Sequence, residues 1–138
     1  MSIIKVFYSE DKKSRVYIHR RKDGLIDILV SELEQDYYVD DSGQIVRMDD
    51  YYWYCDGVTD FITDSVEIAE KEILGELGDG YIEAPIVDIF YRVCLADGRK
   101  GEVVDITADG DYIVRIEDDG IEECISIQDI KEAQSCWD

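Results

Sequence analysis

The sequence predicts a mostly β protein with one helix (α+β): an antiparallel meander with a packed helix, followed by a small barrel. Three observations predict it. Apolar runs of strand length recur along most of the chain, separated by turns rich in Gly, Asp and Ser. One segment alone changes from a period of two to a period near 3.6, just beyond Thr63. The only proline falls in GDGYIEAP, Gly78 to Pro85, which separates residues 1–80 from residues 81–138.

In the first part, Ile3–Ser9 is a short apolar run and Glu10–Lys13 its turn. Ser14–Arg21 alternates, with Val16, Ile18 and Arg20 on one side and Arg15, Tyr17, His19 and Arg21 on the other. Lys22-Asp23-Gly24 is a hairpin turn. Leu25–Leu33 is rich in Ile, Leu and Val and leads to a fourth extended piece around Tyr37–Val39. Asp40-Asp41-Ser42-Gly43 turns the chain into a strand over Ile45–Cys55. The helix follows: Asp64 with Glu67 forms a capping-box pattern, and Val66, Ala69, Ile73, Leu74 and Leu77 fall on one face. Gly78 and Gly80 end it.

In the second part, strands are predicted over Ile86–Leu95, Glu102–Thr107, Asp111–Glu117 and Ile121–Ile127. The turns ADGRKG, ADGD and EDDG join them, and QDIKEA makes one helical turn. So many short strands in under 60 residues favour closure into a barrel, which removes exposed edges.

Charge is the outlying property. The chain holds 34 acids against 14 Lys plus Arg, a formal net charge of −20. Residues 1–31 hold seven of those bases and only four acids, so the negative charge lies beyond them. Such a field repels phosphate, which argues against nucleic acid and anionic membrane and for a basic protein as partner. No apolar run approaches a membrane span and no secretory signal is legible, so the expected compartment is the cytoplasm. Cys55, Cys94, Cys124 and Cys136 form no CxxC pair, which leaves zinc and thioredoxin-type readings without support. Reduced and mostly buried thiols are expected, with Cys136 exposed near the end.

Chemistry finds few footholds. His19 is the only histidine, and its neighbours Arg15, Tyr17 and Arg21 predict a solvated or cation-flanked ring. Phosphate-loop, nucleophile-elbow, zinc-protease and dinucleotide motifs are all missing. Asp105, Thr107, Asp109 and Gly110 match the start of a calcium loop, but Ile116 stands where its bidentate Glu belongs. The sequence therefore predicts no enzyme, no cofactor and no metal.

Two resemblances add to this. YSEDKKSRVYIHRRKDG and TDSVEIAEKEIL, over residues 7–24 and 64–72, resemble small bacterial immunity proteins that neutralise a cognate toxin. GRKGEVVDITADGDYIVRIEDDGIEECISIQDI resembles SH3-like barrels of the Tudor or KOW kind, on Gly101–Ile106, Asp109–Ile116 and Asp129–Ile130. Such barrels commonly bind proteins, peptides or nucleic acid.

The stretch RMDDYYWYCDG, Arg47 to Gly57, bears most directly on a partner. On a strand, Tyr51, Trp53 and Cys55 share one face and Asp50, Tyr52 and Tyr54 the other. The first set suits a core, and the second suits an interface, where tyrosine is a frequent anchor. The expected partner surface is Asp50, Tyr52 and Tyr54, with Asp40, Asp41, Asp49, Asp56 and Asp60 as an acidic rim. The acidic turn Glu117-Asp118-Asp119 is the competing site. Together these features predict a non-enzymatic acidic inhibitor of a basic protein, foremost an immunity protein against a nuclease-type toxin. A phage-encoded nucleic-acid mimic that disarms a host defence nuclease is the nearest rival. A structural or adaptor module and a carboxylate-using enzyme are the rivals from other classes. The oligomeric state is left open.

Overall fold

The computed structural model describes residues 2–55, 57 and 61–135. In chain order the elements are β1 (Ser2–Tyr8), β2 (Ser14–Arg20), β3 (Ile26–Val39), β4 (Ile45–Cys55) and β5 (Phe61–Thr63). The helix α1 (Val66–Leu77) and the two-residue strand β6 (Ile82–Glu83) come next. Then follow β7 (Arg92–Leu95), β8 (Lys100–Ile106), β9 (Tyr112–Ile116), β10 (Glu122–Ile125), a 3-10 turn (Ile127–Asp129) and β11 (Ile130–Gln134). The protein is mostly β with one α-helix, and its strands form two antiparallel sheets. By compactness the chain divides into two units. One combines Met1–Glu32 with Cys55–Ile86, and the other combines Leu33–Tyr54 with Val87–Asp138.

The first unit is a meander with a helix. β1 pairs with β2 and with β6, and β2 pairs with β3 in the register Val16↔Val30, Ile18↔Ile28, His19↔Asp27. Alternation sends Phe7, Val16, Ile18, Ile26 and Ile28 to one face, where they pack with Ala69 and Ile73 of α1. Val66, Leu74 and Leu77 flank that cluster, so the helical face expected from the spacing is the face that packs. The cap is Ser65 rather than Asp64: its hydroxyl accepts from the backbone N–H of Ile68 at 3.3 Å. Both residues suit the position, and the chain enters the helix one residue later than the capping-box pattern implied.

The opposite face of this sheet is also buried, and it sets polar groups among the apolar Val6, Tyr8 and Leu29. Arg15, Tyr17, Asp27 and Ser31 are all under a tenth exposed. The Arg15 Nε–H donates to the Tyr17 hydroxyl, which in turn shares a hydrogen bond of 2.8 Å with the Ser31 hydroxyl. The Arg15 guanidinium also lies 5.4 Å from the Tyr17 ring centroid. His19 is not solvated or ringed by cations. Its Nδ1 lies 2.8 Å from Asp27 Oδ1, because the turn at Lys22–Gly24 sets the two residues opposite each other. A buried charge needs such partners, and here the cross-strand register supplies them.

The second unit contains a five-stranded sheet in the order β10-β9-β8-β7-β11. Val93 and Leu95 of β7, Val103 and Ile106 of β8, Tyr112, Val114 and Ile116 of β9, Ile125 of β10 and Ile130 of β11 are its buried residues. Val103 and Ile106 are three apart, not two, because a bulge between Val103 and Asp105 resets the alternation. Gly101 is required sterically: a Cβ there would lie 2.5 Å from the Arg115 carbonyl oxygen and 2.6 Å from Val114. Two expectations are corrected. The predicted strand over Ile86–Leu95 shortens to Arg92–Leu95, since Tyr91 N–H bonds back to the Asp88 carbonyl and Phe90 takes a φ of 72°. The tail makes its helical turn at Ile127–Asp129, and the KEA segment is strand, with Glu132 opposite Cys94 and Ala133 opposite Val93.

One turn recurs in both units. Residues 21–25, 40–44, 95–99 and 107–111 each close with two bonds: from the first residue's N–H to the fifth's carbonyl, and from the fourth's N–H back to the first's carbonyl. The fourth residue is always glycine with φ between 81° and 92°. That left-handed conformation is costly for any residue with a Cβ, and it sets the bulge that hairpins of this length need. Among the described residues no helix is long and apolar enough to cross a membrane.

Candidate protein-interaction surface

The site is built on the hairpin of Leu33–Val39 and β4, within the second unit. Its turn is rigid. Asp40 Oδ1 accepts from the Ser42 N–H (3.0 Å), the Ser42 hydroxyl (2.6 Å) and the Gln44 N–H (2.9 Å). The Ser42 hydroxyl, and then the Gln44 amide, hold the Asp40 carboxyl below its ordinary range. Asp40 is therefore a structural acid whose Oδ1 serves its own turn, while Asp41 beside it is exposed. Along the hairpin the Gln35 side-chain amide donates to the Met48 carbonyl at 2.8 Å, and Arg47 stacks 5.8 Å from the Tyr37 ring centroid.

No residue of β4 is buried. From Ile45 to Met48 the even positions, Val46 and Met48, are half-covered, whereas beyond them the odd positions Tyr51 and Trp53 are, and Cys55 at the end is exposed. The change of phase occurs at Asp49-Asp50, both exposed. Trp53 points inward far enough for its indole N–H to donate to the buried Tyr112 hydroxyl at 3.1 Å. Tyr52 and Tyr54 point away, at 38% and 53% exposure.

Residues that sequence reasoning had not singled out extend this surface. Tyr37, Tyr38, Val39 and Ile45 are between 49% and 62% exposed. Among the described residues, six of the thirteen exposed large hydrophobics thus lie on this one hairpin, a concentration rather than a scatter. The signal was available: YYV runs directly into the DDSG turn, just as the YYWY run lies on its return strand. Glu34, Asp36, Asp41, Asp49 and Asp50 supply the acidic surround. Asp56 and Asp60 lie outside the described residues.

The second predicted region is the β9–β10 turn, also in this unit. Glu117, Asp118 and Asp119 are all exposed, and Asp119 Oδ1 accepts from the Ile121 N–H at 2.9 Å. Glu117 and Gly120 also border an open groove of about 1020 Å³ across β7, β8, β9 and β11. The groove is not acidic. Gln134, Arg92, Glu102, Arg115 and Glu122 stand opposite one another on five successive strands, so charge alternates along the row. Arg115 pairs with Glu122 at 3.0 Å, and Arg99 is held between Asp97 and Glu123, which raise its already high pKa further.

The thiols correct another expectation. Cys55 and Cys124 are exposed and Cys94 is half-buried, while Cys136 lies outside the described residues. Among the described residues no three His, Cys, Asp or Glu side chains gather closely enough to hold a metal ion.

Comparison with known proteins returns no matching family model, no matching curated protein and no matching solved structure.

Proposed function

We propose that this chain is a non-enzymatic acidic inhibitor that binds and neutralises a basic partner protein, of the kind represented by immunity proteins against nuclease-type toxins. One observation carries the reading. An acid-rich hairpin presents six exposed apolar residues, four of them tyrosines, in a protein of net charge −20. Tyrosines supply anchoring area at an interface centre. Exposed carboxylates take the place of phosphates as ligands for Lys and Arg, and the surrounding field speeds encounter. The mechanism is occlusion: a surface that meets nucleic acid is held by carboxylates and covered.

A second reading has its own support. The strand order β10-β9-β8-β7-β11, with a 3-10 turn before the last strand, is consistent with the SH3-like resemblance. The mixed-charge groove across that sheet suits a peptide. On this reading the chain is an adaptor.

The two readings part under salt. Capture on the immobilised chain from extract of the native host at low salt should retain a basic protein that high salt releases. Association with that protein should slow by about one to two decades as the screening length shortens to ~8 Å, and its activity should vanish at one equivalent of inhibitor. An on-rate indifferent to salt argues for the adaptor. Turnover by the chain itself that disappears on His19→Ala would overturn both.

A further inference from the structure

We infer that the outer edge of β4 takes up an extended, basic segment of the partner as an added antiparallel or parallel strand. This rests on the acidic-inhibitor reading and names how the contact is made. β4 has one strand neighbour, β3, among the described residues. A strand with one neighbour turns half of its backbone N–H and C=O groups toward whatever lies on its other side. The other edge strands are short: β5 has three residues, β6 two, β10 four and β11 five, whereas β4 has eleven.

Proteins usually blunt an edge of that length with Lys, Pro or brevity. β4 carries no proline and no lysine, its charges are Arg47, Asp49 and Asp50, and no residue of it is buried. Its sequence does select by charge. A second copy paired antiparallel about the middle of β4 would set Asp50 against Asp50, with Asp49 alongside in each copy, between two chains of net −20. Like charges directly opposite one another destabilise a strand pair. A basic strand meets the reverse situation. Its bases, on one face at every second position, would fall beside Asp50 and beside Tyr52 and Tyr54, where a carboxylate and aromatic rings both favour a cation. Backbone pairing would supply affinity, and the Asp50-Tyr52-Tyr54 face specificity.

Two synthetic eleven-residue peptides of alternating Arg and Thr test this, one ordinary and one methylated on every backbone nitrogen. Charge and side chains are the same, and only the ordinary peptide can donate ladder hydrogen bonds. The ordinary peptide is expected to bind the full-length protein at low salt and to slow amide exchange within Ile45–Cys55. The methylated one should bind at least about tenfold more weakly, the equivalent of one or two lost hydrogen bonds, and protect nothing there. Equal binding of the two peptides overturns strand addition and leaves the acidic-inhibitor reading standing. Binding of neither, or protection confined to β10, β11 or the groove, also overturns it. Concentration-dependent protection of β4 without any peptide makes the occupant a second copy and overturns the choice of a basic segment. Failure of the inhibitor reading shows separately, as the absence of a salt-released basic protein in the capture experiment.

Discussion

β2 and β4 are both hydrogen-bonded to β3, and they treat their side chains in opposite ways. β2, SRVYIHR, is the more polar, yet four of its seven residues are buried, Arg15 among them. β4, IVRMDDYYWYC, holds four consecutive aromatics and buries none of its eleven residues. What packs on each face decides this rather than hydropathy. One face of β2 packs against α1, and on the other Arg15 and Tyr17 are buried and hydrogen-bonded, Tyr17 to Ser31 of β3. β4 has one strand neighbour among the described residues. These half-covered and exposed aromatics are the surface on which the proposed interaction rests.

The comparison can be broken first at β2. Ile18 is completely buried in the cluster under α1, and Ile18→Ala should cost about 2–5 kcal/mol, the range for a core truncation that leaves a cavity. Urea unfolding measures it. A loss within the error of the extrapolation would mean that β2 is not the packed strand described. Tyr17→Phe is subtler. It keeps the ring but deletes the oxygen shared by Arg15 and Ser31, and should cost about 1–3 kcal/mol for the desolvated groups it leaves behind. Full stability would show that water readily reaches this face.

A smaller effect sharpens the β4 side. The lowered Asp40 pKa means that the ionised form is the one the turn favours. Its contribution to the hairpin is complete above the ordinary carboxylate range and is lost as pH falls through the lowered folded-state value. Ser42→Ala removes the largest cause, so the Asp40 carboxyl, followed by NMR, should titrate at higher pH than in the parent protein. An unchanged midpoint would remove the hydroxyl from the account.

What could be read in advance follows the reach of each interaction. Turn chemistry is local, and the glycines at 24, 43, 98 and 110 mark hairpins that the structure contains. The bounds Ile45–Cys55 and the packing face of α1 follow from periodicity over a few residues. The Ser65 cap was displaced by one because Asp64 and Ser65 are chemically interchangeable there. The buried polar face was missed for a different reason. Arg15, Tyr17 and His19 look solvent-bound until register places Ser31 and Asp27 beside them. That register was within reach, since a turn closing residues 21 to 25 makes 19 and 27 opposite. β11 was read as helix because KEA favours helix locally, and only pairing with β7 makes it a strand. At the candidate surface, Tyr52 and Tyr54 were legible from alternation, while Tyr37, Tyr38 and Val39 were passed over although they adjoin the same turn. Apolar residues beside a strand look like core until the structure leaves them uncovered.

The most direct test pairs stability with binding in one double variant. Tyr52→Ala with Tyr54→Ala should leave unfolding free energy within about 0.5 kcal/mol of the parent, as exposed positions do. The same variant should weaken the captured basic partner by on the order of 2 kcal/mol or more, the cost of losing an anchoring tyrosine at an interface centre. Asp118→Lys with Asp119→Lys is measured alongside, and should act mainly on the association rate. Retained affinity in the tyrosine variant, together with its loss in the charge-reversed one, would place the interface on the β9–β10 turn and contradict the account.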